Sequence, residues 1–271
     1  MRRVDGRPHS VTEMDGRVDV VLPCLDEAEA LPGVLAALPA GFDAVVCDNG
    51  STDGTPEIAR RLGALVVHEA RPGYGAAVHA GLEATRTDVV AVIDADGSLD
   101  PAELPAMVAL LLDTGADLVV GRRVPQSRGS WPWHARVSNL VLSGLMRTRG
   151  VAVRDIAPIR VARRHALLDL GITDRAFGYP LELLIRAGAA GWRIREVDVA
   201  YRPRAGGRSK VSGSVKGTAR AVRDMSRAIA RTRPSGSSGA SGSSGPSGRR
   251  EPPREPPREP FTASDGRGTD R

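Results

Sequence analysis

The sequence predicts an α/β fold, a mostly parallel sheet with helices on both faces. Three observations carry this. Short apolar runs alternate with stretches of helical spacing before residue 121. Polar, turn-forming motifs fall at the ends of those runs, after Leu22, Cys47 and Ile93. The hydrophobic fraction is 41% of 271 residues, enough for a sizeable core. Serial βα units imply a parallel sheet covered by helices. Ligands in such sheets bind at the carboxyl ends of the strands, where the polar motifs lie.

The elements follow in order. Residues 18–22 are a short apolar run ending at Pro23, and 28–38 have helical spacing. A second strand is expected at 44–47 and a helix over 56–62, with Pro56 in its first turn, where a missing N–H costs nothing. Further strands are expected at 64–67, 88–93 and 117–120, with helices at 75–85 and 101–112. Beyond Gly121 the alternation weakens. Helices are expected at 136–147 and 181–190, a strand at 194–201, and a basic helix at 214–231.

Composition frames the organisation. Residues 1–17 are polar and charged, a flexible leader without the apolar centre of a secretory signal. No stretch approaches the roughly 18 apolar residues of a membrane span. From residue 232 the chain turns into a Ser/Gly tract and Arg-Glu-Pro-Pro repeats, the composition of a disordered tail. One folded domain over 18–231 remains, with a nucleotide-binding half at 18–121 and an acceptor half at 122–231. The net charge of +6 permits anionic partners. Nucleic acid is not expected among them, because aromatics are only 3% and no binding motif is present. Cys24 and Cys47 sit in apolar runs and read as small buried hydrophobes. A reducing cytoplasm fits, with peripheral contact to the inner face of the plasma membrane through the basic helix as one reading and a plain solvated face as the other.

Three strand-end motifs carry chemistry. In Asp94-Ala95-Asp96 the two carboxylates stand two residues apart just past a strand. That spacing suits a hard cation such as Mg²⁺ or Mn²⁺, which takes oxygen ligands and shares its sphere with phosphates. A helix-capping turn is the alternative. The stretch from Asp48 to Thr55 combines a strand-end carboxylate with Gly50, Gly54 and several capping residues. Asp53 or Thr55 would suffice as a cap, which leaves Asp48 for a base or a ribose hydroxyl. Pro23-Cys24-Leu25-Asp26-Glu27 reads as a pocket wall or as a polar loop.

Together these pieces resemble the family 2 glycosyltransferases of GT-A fold, nearest to the branch of dolichyl-phosphate mannosyltransferases and bacterial polyprenyl-phosphate glycosyltransferases. The resemblance also rests on Gly73-Tyr74-Gly75-Ala76-Ala77, on 117–123 ending in Gly121-Arg122-Arg123, and on Gly206-Gly207-Arg208-Ser209-Lys210. It implies that Pro23, Glu27, Asp48 and Asp53 line the base and ribose site, with Asp94 and Ala95 beside the nucleotide. It implies that Asp94 and Asp96 bind the metal, with Asp96 catalytic. Arg123 and Arg136 would approach donor phosphate or acceptor, and Arg204, Arg208 and Lys210 would close over phosphate groups. Two positions depart from the family's pattern: Asp26 stands where Asn is usual, and Arg122 where Ser is usual.

The acceptor leaves alternatives open. A hydroxyl acceptor needs a general base. Glu182 is the candidate, and a first-turn acid favoured by the helix dipole is its other reading. A phosphate acceptor is already ionised at neutral pH and needs only cations. The expected reaction is an inverting transfer from a nucleoside-diphosphate sugar to a polyprenyl phosphate. A soluble acceptor is the alternative, ahead of a nucleotidyltransferase or a silent nucleotide-sugar binder.

Overall fold

The computed structural model describes residues 16–126 and 139–206, apart from 141, 145 and 157. The first half unrolls as the spacing predicts. β1 (Val18–Cys24) leads to α1 (Leu31–Ala36), β2 (Phe42–Asp48) to α2 (Thr55–Arg61), and β3 (Leu65–His68) to α3 (Tyr74–Ala84). β4 (Val89–Val92) precedes a single 3-10 turn (Pro101–Glu103) and α4 (Leu104–Thr114). β5 (Leu118–Pro125) runs farther than the expected 117–120, into Arg122 and Arg123.

The second half holds two elements that the periodicity did not predict, β6 (Arg160–Arg163) and α5 (Arg164–Asp169). α6 (Tyr179–Ala189) and β7 (Ile194–Tyr201) follow. Residues 139, 140, 142–144, 146 and 147 are helical, within the expected helix at 136–147. The start of that helix, the basic helix at 214–231, most of the leader and the tail lie outside the described residues.

The described strands form one seven-stranded sheet in the order β3-β2-β1-β4-β6-β5-β7. β1 pairs parallel with β2 and β4, β2 with β3, and β5 with β7. β6 runs antiparallel to both its neighbours, β4 and β5. The sheet is therefore mostly parallel, with one reversed strand among those described. Alternate side chains feed two cores, as the two-residue strand period requires. Val21, Val45, Val90, Val92 and Val120 pack toward α3, α5 and α6. Val20, Leu22, Val46, Ala91 and Val119 pack toward α1, α2 and α4. Both cysteines are buried and unpaired, and burial pushes the Cys47 thiol up to about 12. No helix among the described residues is long and apolar enough to cross a membrane.

Candidate active site

The parallel strands deliver their carboxyl ends to one edge of the sheet, and the polar motifs meet there. β1 ends at Cys24, and Asp26 follows in the left-handed region (φ 51), which Asp tolerates better than most residues. Its Oδ1 accepts from the Thr52 N–H at 2.8 Å. Ser51 Oγ accepts from Asp26 N in return. The loop after β1 is thus tied to the turn after β2. Thr55 Oγ1 accepts from Glu27 N, and Asp53 Oδ2 from Ala28 N.

Asp48 ends β2, and its carboxylate folds back on its own turn. It accepts from Gly50 N (3.3 Å) and Ser51 N (3.1 Å) and lies 3.0 Å from His68 Nδ1. By residue type alone Asp53 could cap, which left Asp48 free for another role. That premise is corrected: Asp48 caps residues 50–51, while Asp53 holds Ala28 and Thr55. Two separate turns need two carboxylates.

Asn49 is a residue the sequence reading passed over. Its amide donates to the carbonyls of Glu69 and Arg71 and accepts from Gly73 N at 2.7 Å. A carboxylate lacks the two donors this requires. An Asn amid capping residues was the only signal in the sequence.

β4 leads to the two acids. Ala95 between them is buried in the core, which turns Asp94 and Asp96 out on either side of it. Asp96 Oδ1 accepts from Ser98 N (2.9 Å) and Ser98 Oγ (2.6 Å), and its Oδ2 sits 2.6 Å from Arg204 Nη2. Arg204 comes from the segment after β7. That segment pairs back on the 96–99 turn, with Leu99 bridged to Tyr201, Arg202 N donating to Ser98 O, and Ala205 N to Asp96 O. Glu27 Oε1 lies 3.9 Å from the same guanidinium. Asp94 takes a hydrogen bond from Tyr74 Oη at 3.2 Å. Burial, and then repulsion from Asp96, push its carboxyl up to about 6.

Two adjacent carboxylates that repel one another fit a hard divalent cation, which would relieve the repulsion. Among the described residues no three His, Cys, Asp or Glu side chains converge on one point. The protein would supply two ligands, leaving the remaining positions to phosphate oxygens and water, as Mg²⁺ sites with phosphates commonly do.

Residues 19–171 match the family described as Glycosyl transferase family 2. The chain belongs to that family. An uncharacterized glycosyltransferase of Mycobacterium tuberculosis is 61% identical over 214 residues, covering 79% of this chain and 98% of the relative. A dolichyl-phosphate hexose transferase of Haloferax volcanii is 37% identical over 192 residues, covering 69% and 83%. Glucosyl-3-phosphoglycerate synthase from Mycobacterium tuberculosis, solved with Mn²⁺, uridine diphosphate and phosphoglyceric acid, superposes with a TM-score of 0.66. It is 24% identical and covers 82% of this chain and 80% of its own. That likeness shows a shared GT-A fold.

The remaining candidates of this glycosyltransferase divide. Arg123 is clamped by Asp155, which accepts from Arg123 Nε at 2.8 Å and Nη2 at 2.7 Å, and from its backbone N–H at 2.9 Å. Its guanidinium also stacks over the Tyr201 ring, 5.4 Å from the centroid. Arg122, the departure from the family's pattern, pairs with Asp198, its register partner on β7. Consecutive strand residues point to opposite faces, so Arg122 and Arg123 do different work.

Glu182 is fully buried and its carboxylate is occupied. Thr173 N and Oγ1, Asp174 N and Arg186 Nε all donate to it, at 2.6–3.1 Å. Burial alone would raise its pKa, but these donors outweigh it and hold the group below the usual carboxylate range. Its visible work is to fix the 172–176 loop, whose Arg175 and Ala176 carbonyls accept from the first N–H groups of α3. Pro23 is half-buried within β1. Arg136, Arg208 and Lys210 lie outside the described residues.

Proposed function

We propose that this glycosyltransferase moves a sugar, with inversion, from a nucleoside-diphosphate sugar to a polyprenyl-phosphate acceptor. The observation that carries it is the pair Asp94 and Asp96 at the end of β4, with Arg204 against Asp96. Pro23, Glu27, Asp48 and Asp53 form the wall for base and ribose. A divalent metal on Asp94 and Asp96 would neutralise the charge that gathers on the departing diphosphate.

The acceptor oxygen attacks the anomeric carbon from the face opposite the diphosphate. The bond from that carbon to the diphosphate oxygen breaks, and the nucleoside diphosphate leaves. Arg204 holds the phosphate side of this exchange. Its Nη1 is buried without a hydrogen-bond partner among the described residues, a donor suited to a phosphate oxygen. Arg123, Arg136, Arg208 and Lys210 add positive charge, which stabilises a developing anion best where water is excluded.

The occupied carboxylate of Glu182 supports a phosphate acceptor. A hydroxyl acceptor would need that acid free as a base, whereas a phosphate monoester arrives ionised. The relative named for a dolichyl-phosphate transfer supports the same choice. A soluble small-molecule or glycan acceptor is the second reading, supported by the likeness in fold to a synthase solved with phosphoglyceric acid.

The test is a thermal-shift panel of GDP-, UDP-, CDP- and dTDP-sugars with and without Mn²⁺, followed by turnover assays. A ligand that binds only the folded state raises the melting point. One donor is expected to give a metal-dependent shift and to be consumed with a polyprenyl phosphate. No metal-dependent shift with any donor would overturn the donor reading. Turnover with soluble phosphates alone would overturn the lipid acceptor.

A further inference from the structure

Asp94 is reached from behind by two hydrogen bonds that the transfer itself does not use. They begin at Arg160, whose long side chain is only 2% exposed. Because β6 runs against its neighbours, its first residue lies level with the carboxyl end of β4, and beside the middle of β5. Arg160 is the register partner of both Val92 and Val120. Arg160 Nη2 donates to Tyr74 Oη at 3.3 Å, and Tyr74 Oη lies 3.2 Å from Asp94 Oδ1.

The polarity of this relay is fixed by chemistry. A guanidinium has only donors, and a phenol has one proton. Arg160 therefore donates into the hydroxyl oxygen, and the single phenolic proton goes to Asp94. Asp94 Oδ1 is thereby engaged, while no described residue hydrogen-bonds Oδ2.

Tyr74 is itself held by its neighbours. A Cβ on Gly73 would lie 2.1 Å from the Arg175 carbonyl oxygen, and one on Gly75 would lie 2.7 Å from Tyr179 Cβ. Only glycine at both positions lets the first turn of α3 press against the 172–176 loop and α6. The phenol that reaches Asp94 thus starts from a backbone clamped on both sides.

We propose that Tyr74, oriented by the buried Arg160, is a positioning residue that locks one oxygen of Asp94 and leaves the other turned toward the metal. The proposal rests on the reading of Asp94 and Asp96 as metal ligands. Partners behind a ligand commonly govern affinity, and their loss costs about 10–100-fold.

The full chain, as wild type and as Tyr74→Phe, Arg160→Lys and Tyr179→Phe, is titrated with Mn²⁺. The EPR signal of the free ion reports binding, and a melting curve is recorded for each protein. Tyr179 is the matched control. It is likewise a tyrosine packed into the same core, and its hydroxyl has no hydrogen-bond partner among the described residues.

Tyr74→Phe is expected to bind Mn²⁺ about tenfold more weakly. Arg160→Lys, which keeps a cation but loses the fork that reaches Tyr74, is expected to weaken it less. Tyr179→Phe is expected to match wild type. Unchanged affinity in Tyr74→Phe overturns the proposal, and so does an equal loss in Tyr179→Phe, which would mark a site sensitive to packing alone. Should Tyr74→Phe not fold, wild-type affinity in Arg160→Lys overturns it instead. A wild type that binds no Mn²⁺ removes the metal reading and this inference together. A binding wild type with an unaffected Tyr74→Phe removes the inference alone.

Discussion

At the scale of single residues, the acids of this site differ in what holds them. Asp96 is buried and enclosed by Ser98 and Arg204, whereas Asp94 is half-buried with one phenolic donor. Asp96→Asn keeps the shape and the Ser98 contacts but removes the charge. We expect it to remain folded and to lose a hundredfold or more in metal-dependent kcat, the scale for losing one preorganised electrostatic group. Wild-type turnover in that variant would refute the role of Asp96. Arg123 and Asp155 offer a second test. Asp155 is fully buried, so Asp155→Ala takes the bidentate carboxylate from a guanidinium that is itself mostly covered. A urea melt should show a loss of about 3–5 kcal/mol, the cost of breaking a buried pair by removing one partner.

At the scale of elements, α3 and α6 set the site. α3 lies so close to the sheet that a Cβ on Gly81 would come within 2.4 Å of Cys47 Sγ and 2.5 Å of Val21 Cγ1. Gly81→Ala gains helix propensity but overpacks the interface. Overpacking costs about 1–3 kcal/mol, more than the roughly 1 kcal/mol of propensity gained. A lowered melting temperature is therefore expected, and a raised one would show that α3 can shift. α6 contributes through Glu182, whose folded pKa lies below its ordinary value of 4.5. A depressed carboxylate adds stability that is complete above the unfolded pKa and lost as pH falls through the folded one. Urea melts of wild type and Glu182→Gln should differ by about 1.5–3 kcal/mol at neutral pH, the range for hydrogen bonds to a charged group. The gap should narrow as pH falls below 4.5. A gap independent of pH would mean that the charge of Glu182 is not what holds the loop.

At the scale of the molecule, the tail and the folded part divide by composition. From residue 232 the composition is a Ser/Gly tract followed by Arg-Glu-Pro-Pro repeats. Deleting residues 235–271 is expected to leave kcat/KM nearly unchanged, and a large loss in the truncated protein would give the tail a catalytic role. The elements of the first half were legible because their signals are local. Apolar runs mark strands, Pro56 and Gly54 mark a helix start, and Asp94-Ala95-Asp96 follows a strand directly. β6 was not legible: four residues beginning and ending in Arg carry no two-residue alternation. Its burial comes from strands distant in sequence. The hydrogen bonds of Asp48 and Glu182 were not legible for a related reason, since neither the N–H groups that fill their oxygens nor the loops that supply them follow from residue type.

The sequence by itself determined the α/β class, the order of the first βα units and the placing of acids at strand ends, because these depend on periodicity and turn chemistry within a few residues. Only the tertiary structure decided which charges meet. Arg204 reaches Asp96, Asp155 takes Arg123, and a reversed strand carries Arg160 behind Tyr74 and Asp94. Such pairings join residues from about 30 to more than 100 positions apart, and their geometry is fixed by strand order and direction, which no local pattern encodes.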